Sequence, residues 1–177
     1  MTTALLIIDV QHALCSGEWA VFEVARVIDR INHVTQLARS AGAPVVYIQH
    51  EESDGPMVYP GDGWQLDPRL NAQPTDLYVR KTSCDSFHTT DLQSLLQARG
   101  VSQLVACGLQ SEFCVDSTVR RALALGYPVT LVADAHSTMD SGGLTAAQIS
   151  AHHNTTLANM QSFGPRAQVV AADQVHF

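Results

Sequence analysis

Apolar runs recur along the chain: ALLIID (4–9), PVVYIQ (44–49), DLYVR (76–80), QLVACG (103–108), PVTLVAD (128–134) and AQVVAA (167–172). Each reads as a strand, and ALLIID as one that is fully buried. Helical spacing fills the intervals. Val24, Val27, Ile28, Ile31, Val34, Leu37 and Ala38 keep one face of a helix over about 21–41, which Gly42 stops. TTDLQSLLQARG (89–100) has Thr89 or Thr90 as cap, Leu92, Leu95 and Leu96 on one face, and Gly100 as terminator. A further helix carries Cys114 and ends at Gly126, with Ser111 as its expected cap, and Thr145 with Gln148 makes a capping box for a helix running to about Met160. Strand–helix alternation predicts an α/β fold, a parallel sheet with helices on both faces.

In such sheets ligands bind beyond the carboxyl ends of the strands. Asp9, Lys81, Cys114 and Asp134 all fall at or just after expected strand ends, so the site is expected there. Residues 50–75, rich in proline and glycine, form the longest irregular stretch and read as a functional loop.

Composition narrows the classes. A length of 177 residues suggests one domain, 1–177, and 46% hydrophobic with 15% charged residues marks a globular chain. A net charge of −7 without any basic run argues against a nucleic-acid partner. MTTALLIIDVQ lacks a basic leader and meets an acid after a short apolar run, so neither a signal peptide nor a membrane partner is expected. Cys15, Cys84, Cys107 and Cys114 form no CxxC pair, which fits free thiols in a reducing cytoplasm.

Candidate chemistry gathers on three residues. Cys114 follows the polar QSE segment at a strand-to-helix junction, where unpaired N–H groups and the helix dipole lower a thiol's pKa. The alternative is a small buried hydrophobe, which suits Cys107 inside its strand better. Asp9 is a candidate general base or a solvated strand terminus. Lys81 is the only lysine among ten basic residues. A compact ammonium beside a thiolate and a carboxylate is not freely exchanged for a guanidinium, although a solvated RK pair is the competing reading.

ALLIIDVQ, VRKTSCDSF and GLQSEFCVDSTVRRALALGYPVTLVADAHST, in this order and with HHNTTL (152–157) near the end, resemble the signature blocks of the isochorismatase-like cysteine hydrolases. That resemblance implies a three-layer α/β/α fold with a six-stranded, mainly parallel, Rossmann-like sheet of order 3-2-1-4-5-6. It implies an Asp9, Lys81, Cys114 triad, a cis peptide between Leu109 and Gln110, and oxyanion donors at the backbone N–H groups of Gln110 and Cys114. The implied reaction is hydrolysis of a small amide, lactam or carbamoyl C–N bond through a thioester.

The nicotinamidase branch adds a metal site with an Asp-x-His element after the second strand. Here that region reads YIQHEESDGP, with His50 and Glu52 in similar spacing but different types, so neither metal nor cofactor is expected. The expected partner is a small-molecule substrate, walled by Leu14, Tyr59, Trp64 and Phe87, each equally able to be core or lid. His136 and the pair His152, His153 are either polar pocket groups or capping and surface residues. Leu123 and Leu125 on an outer helix suggest a homo-oligomer. The alternatives to an amidase are an isochorismatase-type enzyme, a redox-sensing thiol and a ligand-binding protein without turnover.

Overall fold

The computed structural model describes residues 2–177. Six strands, β1 (Thr2–Ile8), β2 (Val45–His50), β3 (Leu77–Lys81), β4 (Val101–Leu109), β5 (Val129–Ser137) and β6 (Ala167–Val170), form one sheet. Its order is β3-β2-β1-β4-β5-β6 and every pairing is parallel. Each parallel neighbour is reached by a crossover. The helices involved are α1 (His12–Cys15), α2 (Val24–Ser40), α3 (Leu92–Gln97), α4 (Asp116–Ala124) and α5 (Ala146–Ala158).

The apolar run of β1 serves two cores at once. Ala4, Leu6 and Ile8 face a layer made by α3, α4 and α5, with Leu92, Leu96, Val119, Ala122 and Leu157. Leu5 and Ile7 face α2, through Ile28, Ile31, Val34 and Ala38. A strand covered on both sides cannot alternate apolar with polar, which is why its sequence is continuous. Amphipathic α2 ends as its glycine predicts: Gly42 takes φ 69°, its N–H reaches Arg39 O, and the Ala43 N–H reaches Ala38 O. Those two bonds satisfy carbonyls the helix leaves open.

Several expected boundaries move, each for a local reason. Glu23 adopts φ 50°, so α2 begins only at Val24. Thr89 adopts φ 52°, and the Thr90 hydroxyl accepts the Leu92 N–H, so α3 starts three residues later than its pattern. β5 continues to Ser137 by pairing His136 and Ser137 with Gly108 and Leu109 past a register shift. Asp134 therefore lies within the strand, where it accepts the Ala172 N–H and pairs with Arg30. It does not reach the strand-end site expected for it. Leu123 is fully buried, and Leu125 is partly buried against the same core. The capping box at Thr145 and Gln148 is present.

Gly108 is the tightest point of the sheet. It adopts φ 122°, and a Cβ there would sit 2.1 Å from Ile8 O and 2.6 Å from Ile8 N. Those atoms are the backbone immediately before Asp9 and cannot rotate aside. A Gly108→Ala substitution is expected to cost about 3 kcal/mol through overpacking and the forced positive φ. A urea-denaturation midpoint that stays unchanged would contradict this placement.

Candidate active site

Three strand ends and one turn supply the site. After β1, Asp9 adopts φ 51° and leaves the sheet, while its N–H stays bonded to Ile48 O at 2.9 Å. A left-handed backbone is uncommon outside glycine, and aspartate tolerates it better than branched residues do. His50 and Lys81 close β2 and β3 directly opposite each other. Two residues earlier, Ile48 and Val79 belong to the core under α3, α4 and α5. The two-residue strand period therefore turns His50 and Lys81 toward that same face. Cys114 packs against this core from the π-helical turn Ser111–Val115 that leads into α4.

The four side chains meet at the Lys81 ammonium, which is sealed from solvent. Nζ donates to Asp9 Oδ2 at 2.6 Å, to the Ser83 carbonyl at 3.0 Å and to Cys114 Sγ at 3.2 Å, and lies 3.4 Å from His50 Nδ1. The Asp9 and Lys81 side chains are 1% and 0% exposed. Asp9 Oδ1 is also buried and has no hydrogen-bond partner among the described residues. The sequence reading thus identified three residues that converge within hydrogen-bond reach from positions far apart in the chain.

Electrostatics correct one expectation. Burial pushes the Cys114 thiol well above the ordinary cysteine range, the Asp9 carboxylate pushes it further, and Lys81 only partly opposes them. Burial also works against the Lys81 charge, but Asp9 and Cys114 outweigh it and the lysine pKa rises. His50 is lowered by burial and then by Lys81, which leaves a neutral ring beside the ammonium. One ammonium in a desolvated pocket balances one anion, not two. With Asp9 charged, Cys114 rests as a thiol rather than as the dipole-stabilised thiolate that its junction suggested. It follows that Asp9→Asn lowers the thiol's titration midpoint, because Lys81 is then left with the sulfur as its only anionic partner. Iodoacetamide alkylation against pH, followed by peptide mass on Cys114 because Cys84 is exposed, reads this directly. A midpoint that stays or rises in Asp9→Asn contradicts the charge balance.

Donor atoms of Asp9, His50 and Cys114 all lie within 4.8 Å of one another, a spacing that a metal ion could use. The Lys81 ammonium already stands hydrogen-bonded among them. A divalent ion would have to share that space with a fixed positive charge, so these residues do not fit one. Glu52 turns away, accepting the Met57 N–H at 3.4 Å.

The turn bearing Cys114 is braced from beneath. The Ser111 side chain does not cap the helix; it bonds His136 Nδ1 at 2.8 Å and Ser150 Oγ at 2.9 Å. His136 Nε2 bonds Asn154 Oδ1 at 2.9 Å, and the Asn154 amide donates to Ala133 O. Burial lowers the His136 pKa, and a neutral ring suits this chain, with Nε2 donating and Nδ1 accepting the serine proton. His136 is therefore a brace beneath the turn and lines neither of the two depressions beside it. His153 pairs with Asp116 and His152 lies on the surface of α5. Within the turn, the Phe113 and Val115 N–H groups both bond Gln110 O at 3.2 Å. The Leu109–Gln110 peptide is cis.

Beside the turn lies a cavity of about 420 Å³, lined by Leu14, Gln110 and Phe113 among others. It meets a shallower depression of about 570 Å³, which includes His50, at the shared residue Glu52. Of the four residues expected as substrate walls, Leu14 lines this cavity. Phe87 is buried in the core, stacks on Tyr127 and lines neither depression. Trp64 is buried under Tyr59, edge to face, and the Arg80 guanidinium covers the exposed Tyr59 ring at 3.6 Å. These two aromatics pin the 50–75 loop and do not wall the cavity.

Gln11 is the residue the sequence reading passed over. Fully buried, its amide donates to His50 O and Trp64 O at 2.8 Å each and accepts the His50 N–H at 2.8 Å. It fixes the backbone of His50 and ties the loop to the strand end. The available signal was a second polar residue just beyond the apolar run that Asp9 closes.

The parallel α/β sheet thus brings a carboxylate, an ammonium and a thiol into contact at its carboxyl edge. The isochorismatase domain model matches residues 3–172, and the chain belongs to the isochorismatase family. It is 42% identical over 175 residues to streptothricin hydrolase of Streptomyces noursei, covering 94% of this chain and 63% of that protein. It is 31% identical over 171 residues to the ureidoacrylate amidohydrolase RutB of Caulobacter vibrioides, covering 76% of each. Among solved structures, an isochorismatase from Pseudomonas putida KT2440 superposes with a TM-score of 0.90 at 29% identity, covering 98% of this chain and 89% of that one. An isochorismatase family protein gives 0.87 at 37% identity, covering 96% and 98%. No helix among the described residues is long and apolar enough to cross a membrane.

Proposed function

We propose that the chain is a cysteine hydrolase that cleaves a C–N bond of a small amide, lactam or carbamoyl compound, with Cys114 as nucleophile. The observation that carries this reading is the Lys81 ammonium bonded at once to Asp9 Oδ2 and Cys114 Sγ, with Asp9 Oδ1 left unpartnered. Asp9 takes the thiol proton as sulfur adds to the substrate carbonyl carbon, so the single negative charge beside Lys81 moves from carboxylate to sulfur and then to the substrate oxygen. That migration keeps the buried charge balanced at each stage.

Backbone N–H groups of Gln110 and Cys114 are assigned to the oxyanion, where removing one such donor typically costs about 10²–10³ in rate. Asp9 returns its proton to the departing nitrogen as the C–N bond breaks and the thioester forms. Water then gives Asp9 a proton and adds to the thioester, releasing the acid and restoring the thiol. The names of the relatives, a hydrolase and an amidohydrolase, support this bond class. A raised thiol pKa weighs against the redox-sensor alternative, since sensor cysteines rely on a readily formed, accessible thiolate.

The test is release of ammonia or amine from a panel of small amides, lactams and ureido compounds, before and after iodoacetamide blocks Cys114. Turnover that stops in step with Cys114 alkylation is expected. Turnover that survives complete alkylation would overturn the reading.

A further inference from the structure

Lys81 has more acceptors than protons to give them. Its ammonium carries three N–H donors and no lone pair. Four groups lie within hydrogen-bond reach of it: Asp9 Oδ2 at 2.6 Å, Ser83 O at 3.0 Å, Cys114 Sγ at 3.2 Å and His50 Nδ1 at 3.4 Å. The two shortest contacts occupy two of the N–H groups. The third is contested between the sulfur and the imidazole.

The fold builds the contact with His50. His50 and Lys81 are cross-strand partners at the ends of β2 and β3, and Gln11 holds both backbone polar groups of His50, at 2.8 Å each. A ring nitrogen of His50, the Cys114 sulfur and an Asp9 carboxylate oxygen all lie within 4.8 Å of one another. One N–H can therefore turn from sulfur to imidazole while the ammonium stays in place. Because Nζ only donates, Nδ1 must accept, which puts the neutral ring's proton on Nε2. Burial and the adjacent ammonium both keep that ring neutral. Which acceptor wins depends on the sulfur: a thiol or thioester sulfur is a weaker acceptor than an imidazole nitrogen, whereas a thiolate is a stronger one.

We infer that His50 is a positioning residue acting through Lys81: it accepts the third ammonium N–H while the sulfur is uncharged, releases it to the sulfur when that becomes an anion, and so holds Cys114 as a thiol in the resting enzyme. This rests on the reading of Cys114 as the nucleophile and adds the residue that governs its charge at rest. Lys81 stays charged throughout and no proton changes owner in the exchange. Without His50 the third N–H has only the sulfur to serve, and the thiolate is stabilised before any substrate arrives.

Two substitutions of nearly the same shape test this. His50→Asn keeps an acceptor, Oδ1, close to where Nδ1 stands, and His50→Leu has none. Iodoacetamide alkylation at one pH near neutrality, read by peptide mass on Cys114 because Cys84 is exposed, is expected to run about 3–10-fold faster in His50→Leu than in the parent. His50→Asn is expected to return it to near the parental rate. Asp9, Glu52 and Cys84, the other titratable groups acting on His50 and Cys114, are the same in all three proteins, so the difference reports the acceptor. In the Asp9→Asn, Lys81→Met background, which has no ammonium, adding His50→Leu is expected to leave the rate unchanged. Nitrogen-15 NMR of the parent, with the His50 ring assigned by its loss in His50→Asn, is expected to show Nε2 protonated and Nδ1 bare at neutral pH.

An alkylation rate unchanged or slowed in His50→Leu, an asparagine variant as fast as the leucine one, the same acceleration without the ammonium, or a ring protonated on Nδ1 would each overturn the proposal. Should the leucine variant fail to fold, the protonation of the parent's ring decides alone. The underlying reading fails separately: turnover that survives alkylation of Cys114 sinks the nucleophile and leaves the His50 effect on alkylation standing. Turnover that depends on Cys114, with alkylation indifferent to His50, does the reverse.

Discussion

A Lys81→Met variant is expected to lose about 3–5 kcal/mol of folding stability together with its hydrolytic activity. The ammonium and the Asp9 carboxylate are both buried, at 2.6 Å, and removing one partner strands the other charge in a desolvated site. Methionine keeps much of the volume, so the loss reports charge rather than packing. An Asp9→Asn, Lys81→Met double variant should regain most of that stability while remaining inactive, because the uncompensated charge is gone and so is the proton acceptor. Urea denaturation with m-values checks both halves. If the single variant is as stable as the parent, the pair is solvated and the charge balance proposed for the reaction loses its basis. Lys81→Ala adds a cavity to the same penalty and is a poorer probe of function.

Cys114→Ala separates chemistry from folding. Cys114 as a residue is only partly buried and packs against the core, so a change in stability of about 1 kcal/mol or less is expected. The fall in kcat/KM on a confirmed substrate is expected to be at least about 10⁴-fold, since nucleophile removal in acyl-transfer enzymes leaves only binding and oxyanion contributions. Cys114→Ser should lie close to alanine, because a hydroxyl is the weaker nucleophile and Asp9 must then deprotonate a far less acidic group. Retention of substantial turnover by either variant would remove Cys114 from the mechanism.

Much of this arrangement is legible in the sequence. β1 could be read because burial on both faces leaves an unbroken apolar run, and the acid closing that run marks where the sheet ends. Lys81 stood out by rarity and Cys114 by its junction, and the resemblance to the isochorismatase-like hydrolases joined three residues that spacing alone could not. What stayed hidden depends on direction rather than on residue type. Ser111 has the composition of a cap, yet its hydroxyl turns to His136, because the chain enters α4 through a π-helical turn. Phe87 and Leu123 stand near catalytic blocks or on a helix, and only the fold shows that both point into the core. The thiol's protonation could not be read from a helix N-terminus alone. It depends on Asp9 and on burial, which come from elsewhere in the chain.

The central claim is covalent: during turnover the acyl part of the substrate is held on Cys114. Rapid acid quench of the enzyme with a turned-over amide, followed by intact and peptide mass measurement, tests it most directly. The account predicts a mass increase equal to the acyl group, confined to the Cys114 peptide, removed by hydroxylamine and absent from Cys114→Ala. Steady turnover with no adduct on any cysteine, under conditions where acyl transfer outpaces hydrolysis, or an adduct on Cys84 instead, would contradict it.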